Sequence, residues 1–138
     1  MAVSINRLIA DGVQFAGVEF CTTGDAAGET GTVIDIGTLS DADGSGNERV
    51  RIKSIKACVT SEDASGMNGA CVLSWGGSGD VFCTIPPGYS EITINFEPTS
   101  GFNGNIDYNL SGSIAATLRI KLEKLHGFPN TAAKFKNF

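Results

Sequence analysis

The sequence predicts an all-β fold, an antiparallel β-sandwich of about eight strands, and three observations carry that prediction. Short runs of alternating apolar and polar residues recur along the chain. The breaks between them are filled with glycine, serine and aspartate, the residues that turns require. Strict period-2 patterning persists to the last run, where a helical period would place an isoleucine on the polar side. A chain of 138 residues is one domain by length and can bury a core of its own without metals or disulfides. Two four-stranded layers, jelly-roll-like, accommodate the count.

The elements follow in order. Residues 13–22 form the first strand, with the apolar phase slipping between Phe15 and Val18, which predicts a bulge at Ala16-Gly17. Residues 33–39 follow. Residues 49–61 form the longest strand: Val50 and Ile52 share a face with Ile55, Ala57 and Val59 once a slip at Ser54 is allowed. Its other face carries Arg49, Arg51, Lys53 and Lys56, a basic stripe that predicts a solvated face paired with nearby carboxylates. Residues 71–75 and 81–85 are short and nearly all apolar, as central strands are, and Gly76-Gly77-Ser78-Gly79 joins them. Pro86-Pro87-Gly88 ends the second of these. In residues 91–97, Ile92, Ile94 and Phe96 point inward; residues 106–110 form a weaker strand. In 114–125, Ala116, Leu118, Ile120 and Leu122 alternate with Thr117, Arg119, Lys121 and Glu123, which predicts a strand. The domain therefore spans 13–125, with an N-terminal segment 1–12 and a C-terminal arm 126–138.

Charge is unevenly spread. Between Arg7 and Arg49 there are eight acids and no base, and the net charge is −5. Such a balance argues against nucleic acid as a partner, because phosphate binding needs a positive field. No apolar stretch is long enough to cross a bilayer or to serve as a signal peptide, so no membrane role is expected. Cys21, Cys58, Cys71 and Cys83 sit within strand-like runs and read as free core thiols.

No residue set is placed for catalysis: the single histidine, His126, lies beyond the last strand, and no base–nucleophile–orienter set is visible. No enzyme activity, cofactor or metal site is expected. The run Asp41-Ala42-Asp43-Gly44-Ser45-Gly46-Asn47-Glu48 has the oxygen spacing of a calcium loop, but its twelfth position, Ile52, is not the required glutamate. A polar turn is the better account. Tyr89, Trp75 and Tyr108 could build a sugar-binding platform; only Tyr89 is exposed by context, while Trp75 belongs to the core.

The tail reverses the charge of the body, with two lysines, three phenylalanines and no acid in residues 126–138. Either it is a free end, the default for termini, or an arm that orders on a neighbour. The arm is the favoured reading, with Phe128, Pro129, Phe135 and Phe138 as apolar anchors and Lys134 and Lys136 meeting acidic surface.

The stretch from Val72 to Leu125 resembles small virion structural proteins of tailed bacteriophages, of the marine and cyanobacterial type. The resemblance is carried by Leu73-Ser74-Trp75-Gly76-Gly77, Ile85-Pro86-Pro87-Gly88, Ile92-Thr93-Ile94-Asn95-Phe96, Gly104-Asn105-Ile106-Asp107-Tyr108-Asn109-Leu110 and Ala116-Thr117-Leu118-Arg119-Ile120-Lys121-Leu122. Asn105 stands where those proteins usually have aspartate, and the spacing to the last strand is short. The resemblance implies a β-sandwich on a capsid surface, a decoration or cement protein made in the host cytoplasm. Its partners would be the major capsid protein and neighbouring copies of itself, as a dimer or trimer. A carbohydrate-binding or host-adhesion module is the alternative.

Overall fold

The computed structural model describes residues 3–12, 14–23, 28–61, 68–93 and 95–128. Among them the fold is all-β, two antiparallel sheets packed face to face, with one 3-10 turn at Ile36–Thr38. The strands are β1 (Val3–Asp11), β2 (Phe15–Thr22), β3 (Thr30–Asp35), β4 (Val50–Ser61), β5 (Ala70–Trp75), β6 (Val81–Ile85), β7 (Gly88–Ile92), β8 (Asn105–Ser111) and β9 (Ile114–Lys124). A five-stranded sheet runs β1-β2-β9-β4-β7 and a four-stranded sheet runs β3-β8-β5-β6.

Alternation places the core. In β9, Ile114, Ala116, Leu118, Ile120 and Leu122 are buried, while Thr117, Arg119 and Lys121 face solvent. The expected phase slip in β4 is present: Ile52 pairs with Leu122 but Ser54 pairs with Lys121, so Lys53 is the extra residue of a bulge. That bulge returns Ile55, Ala57 and Val59 to the buried face with Val50 and Ile52. From the other layer come Cys71, Leu73, Trp75, Ile85, Ile106 and Leu110. Trp75 lies 4.4 Å from the Phe82 ring and 5.3 Å, edge-on, from Phe102; Phe20 lies 4.8 Å from Tyr108 across the layers. Such pairs add specific attraction to the area they bury.

Four expectations are corrected. Residues 3–11 are a strand rather than a lead-in segment; most of their side chains are exposed, so little of the burial signature that marks a strand reaches the sequence. The irregularity near Phe15 belongs to β1. Leu8 pairs with Val18 and Ala10 with Gly17, which leaves Ile9 as the extra residue, while β2 runs against β9 without a shift. Accordingly Ala16, Val18 and Phe20 share the buried face and Phe15 points outward under the Lys121 ammonium at 4.5 Å. The strand expected at 91–97 begins at Gly88 and ends at Ile92; Phe96 only bridges back to Ile52. Pro86-Pro87 therefore separates two strands that lie in different sheets.

The fourth correction concerns the tail. Phe128 is 1% exposed and belongs to the core cluster, so it is not free to anchor an arm. The turn before it is fastened by backbone hydrogen bonds from Asp43 N–H to the Gly127 carbonyl (2.9 Å) and from Arg49 N–H to the His126 carbonyl (2.8 Å). Gly127 has φ +85°, and a Cβ there would lie 2.7 Å from the Glu48 Cα, so both conformation and space require glycine. Residues 129–138, with Pro129, Lys134, Phe135, Lys136 and Phe138, lie outside the described residues.

Candidate interaction surface

The outward side of the five-stranded sheet is where this chain concentrates its positive charge. Strand register lines Arg7, Glu19, Arg119, Lys56 and Glu91 into one transverse row across β1, β2, β9, β4 and β7. Glu19 is clamped from both sides, by Arg7 Nη2 at 2.7 Å and Arg119 Nη2 at 3.0 Å. The hydrogen bond from Arg7, reinforced by Arg119, outweighs desolvation and holds the Glu19 carboxyl below the usual carboxylate range. One strand end further along, Arg51 meets Glu123 at 3.0 Å and Glu97 at 3.3 Å. The basic stripe expected on β4 thus divides. Arg51 is paired, and Arg49 donates to the Glu48 carbonyl and faces the Phe102 ring. Lys53 and Lys56 have no carboxylate partner among the described residues.

Apolar groups interrupt this charged face. The β1 bulge drops the Ile9 side chain over Gly17, where a Cβ would meet Ile9 Cγ1 at 3.1 Å. Ile9, Phe15 and Gly17 floor a shallow groove of about 340 Å³ rimmed by Lys56, Arg119 and Lys121. Of the five large apolar side chains that stand exposed among the described residues, Ile5, Leu8 and Ile9 belong to the edge strand β1; the others are Val81 and Tyr89. Monomers scatter such residues singly, so three on one unpaired strand edge mark a surface suited to contact.

The opposite layer is different in kind. The outward side of the four-stranded sheet presents Thr30, Thr32, Asp107, Asn109, Ser74 and Thr84, with Thr32 Oγ1 donating to Asp107 Oδ1 at 3.0 Å. Thr30, Thr32, Ser74, Asp107 and Asn109 surround a second depression of about 320 Å³.

The remaining sequence candidates are placed as follows. Tyr89 is 69% exposed, and its hydroxyl donates to Glu91 at 3.2 Å. The neighbouring Glu91 charge, with that hydrogen bond, raises the phenol above its usual range. Trp75 and Tyr108 are buried and cannot share a platform with Tyr89. In the 41–48 loop, Asp43 Oδ1 accepts the Ser45 N–H and Ser45 Oγ accepts the Asn47 N–H, while Glu48 is buried; its oxygens serve a polar turn. No cluster of three metal-capable side chains occurs among the described residues. Cys71 and Cys83 are buried thiols, as expected, whereas Cys58 is exposed on the outer sheet face.

Sequence reasoning missed two features. The β1 contact edge carried too little alternation to be seen. The other is Lys124, whose side chain is fully buried and donates to Asp11 Oδ1, the Gly12 carbonyl, and both the carbonyl and hydroxyl of Ser40 at 2.7–3.0 Å. Lys124 continues the inward register of β9 past Leu122, and that register was its only signal.

Comparison with protein-family models, curated proteins and solved structures gives no match to this chain.

Proposed function

We propose that this chain is a non-enzymatic virion structural protein, a decoration or cement protein that binds the outer capsid surface and bridges neighbouring subunits. The observation that carries the reading is the order of strands. From β2 onward the pairings β2–β9, β3–β8, β4–β7 and β5–β6 are nested, so the chain is one long antiparallel hairpin rolled into two layers. The resulting orders, β2-β9-β4-β7 and β3-β8-β5-β6, support a jelly roll, an architecture used by viral capsid and lectin domains. Fold alone does not choose between those uses. The uncovered apolar edge of β1 favours a protein partner. Many weak copies bridging a shell add their contacts through multivalency.

The C-terminal arm is part of the proposal, with Pro129, Lys134, Phe135, Lys136 and Phe138 as its contacts. Its test compares the full chain with a version ending at Phe128, scoring recovery on purified particles and their heat resistance. Loss of binding with an intact fold assigns the contact to the arm. Retained binding assigns it to the sheet faces. If the full chain binds no particle, the decoration reading falls.

A second reading rests on Tyr89, the most exposed of the large apolar side chains described, which could stack on a sugar. A glycan array then gives a signal that Tyr89→Ala abolishes and removal of residues 129–138 does not.

A further inference from the structure

All eight Lys and Arg among the described residues lie on, or one residue before, strands of the five-stranded sheet: Arg7 on β1; Arg49, Arg51, Lys53 and Lys56 at β4; Arg119, Lys121 and Lys124 on β9. The four-stranded sheet and the described residues flanking its strands hold no base, and carry Glu29, Asp35, Asp80 and Asp107. One layer of the sandwich is thus electrically opposite to the other. The separation is only partly neutralised within the sheet, where Arg7, Arg51, Arg119 and Lys124 meet carboxylates. Lys53 and Lys56 lack carboxylate partners among the described residues, and Lys121 is held over the Phe15 ring rather than by an acid.

We propose that the basic, apolar-floored face of one copy, at Ile9, Phe15, Lys56 and Lys121, docks on the acidic outer face of a second copy's four-stranded sheet, around Asp80, Val81 and Asp107. The occupant is set by complementarity on both terms. The groove needs an apolar group flanked by carboxylates, and Val81, 59% exposed beside Asp80 and paired through Ser74 to the strand of Asp107, presents that combination. A face-to-face pairing of two basic sheets would oppose like charges. The contact is therefore heterologous, one face meeting the other, and it propagates from copy to copy. The inference rests on the reading above, that copies of this chain pack beside one another on a particle, and names the surfaces that would meet.

The test uses the full chain without particles, so its failure is separate from a failure of capsid binding. Two double variants are made: Lys56→Glu with Lys121→Glu on the basic face, and Asp80→Lys with Asp107→Lys on the acidic face. Sedimentation at low salt should show the unsubstituted chain associating, with association lost at high salt. Each variant alone should associate at least about tenfold more weakly, since like charges brought together cost several kcal/mol. Mixed, the intact acidic face of the first variant meets the intact basic face of the second, and the two reversed faces are complementary to each other as well, so the mixture regains association with the two variants alternating. That regained association also shows that both variants are folded. A monomeric unsubstituted chain at low salt, or two variants that self-associate as before, would overturn the proposal. So would a mixture of folded variants, each with a cooperative thermal transition, that regains no association.

Discussion

The ammonium of Lys124 lies 2.7 Å from Asp11 Oδ1, and this ion pair joins the end of β1 to the end of β9 although the two strands are not neighbours in their sheet. The same ammonium reaches Gly12 and Ser40 and faces the Phe128 ring at 5.4 Å, so three chain segments converge on one charge. With four oxygen acceptors it has the hydrogen bonding that makes a buried charge tolerable.

Lys124→Met should therefore destabilise the fold by about 3–5 kcal/mol, because it leaves Asp11 and the Ser40 and Gly12 carbonyls without their donor. Denaturant unfolding followed by the fluorescence of Trp75, the single tryptophan, reads this directly. An unchanged midpoint would show that the ammonium is dispensable.

Acid should weaken the same junction. Burial alone would raise the Asp11 carboxyl, but hydrogen bonds from Lys124 and Ser40 outweigh it and hold the group below its ordinary value. A carboxyl depressed in the folded state contributes stability that is complete above its unfolded pKa, about 3.9, and is lost as pH falls through the lower folded value. Asp11→Asn should flatten the acid limb of a stability-versus-pH curve, and an unaltered limb would remove Asp11 from the account.

Phe128, the last of the described residues, is part of the core. Phe128→Ala should cost about 3–5 kcal/mol, the usual penalty for emptying a buried aromatic site. A chain ending at Phe128 should melt like the full chain, whereas one ending at Leu125 should melt lower. Gly127→Ala should also destabilise, by at least about 1–2 kcal/mol from its left-handed backbone alone.

Thiol labelling should separate the cysteines. Burial, with Cys83 nearby, pushes the Cys71 thiol up to about 12, so at pH 8 only on the order of 10⁻⁴ of it is thiolate. Cys83 is raised as well, by burial. Brief alkylation of the folded chain, read by mass spectrometry, should modify Cys58 and spare Cys71 and Cys83 until denaturant is added. Rapid modification of Cys71 would contradict its placement.

What the sequence made legible depended on how each strand is buried. β4 and β9 are central, and each has one fully buried face, so their alternation was plain, and the Lys53 bulge could be located within a residue from the shift between Ile52 and Ile55. β1 is an edge strand with Ile5, Leu8 and Ile9 exposed, and its two register shifts break the period further. Ile92 and Phe96 alternated as a strand would, but Phe96 reaches the core through a single bridge, contacting the Phe82 ring at 5.5 Å. Phe128 follows a turn and belongs to no repeating pattern, so nothing before the fold itself could place it inside. The contact surface was half visible: the stripe on β4 could be read, but its union with Ile9 and Phe15 depends on pairings between distant strands.

The nested pairing also constrains how the molecule comes into being. β9, the last of the described strands in chain order, lies in the middle of the five-stranded sheet, between β2 and β4. Until it emerges, those two strands have no central partner, and residues as distant as Val18 and Ile120 must still find each other. β1 with β2 and β5 with β6 can close early as neighbours; every other pairing encloses a longer loop, which makes the fold slow to complete. A nascent chain therefore carries open strand edges until β9 has emerged, and assembly with any partner must wait for that strand.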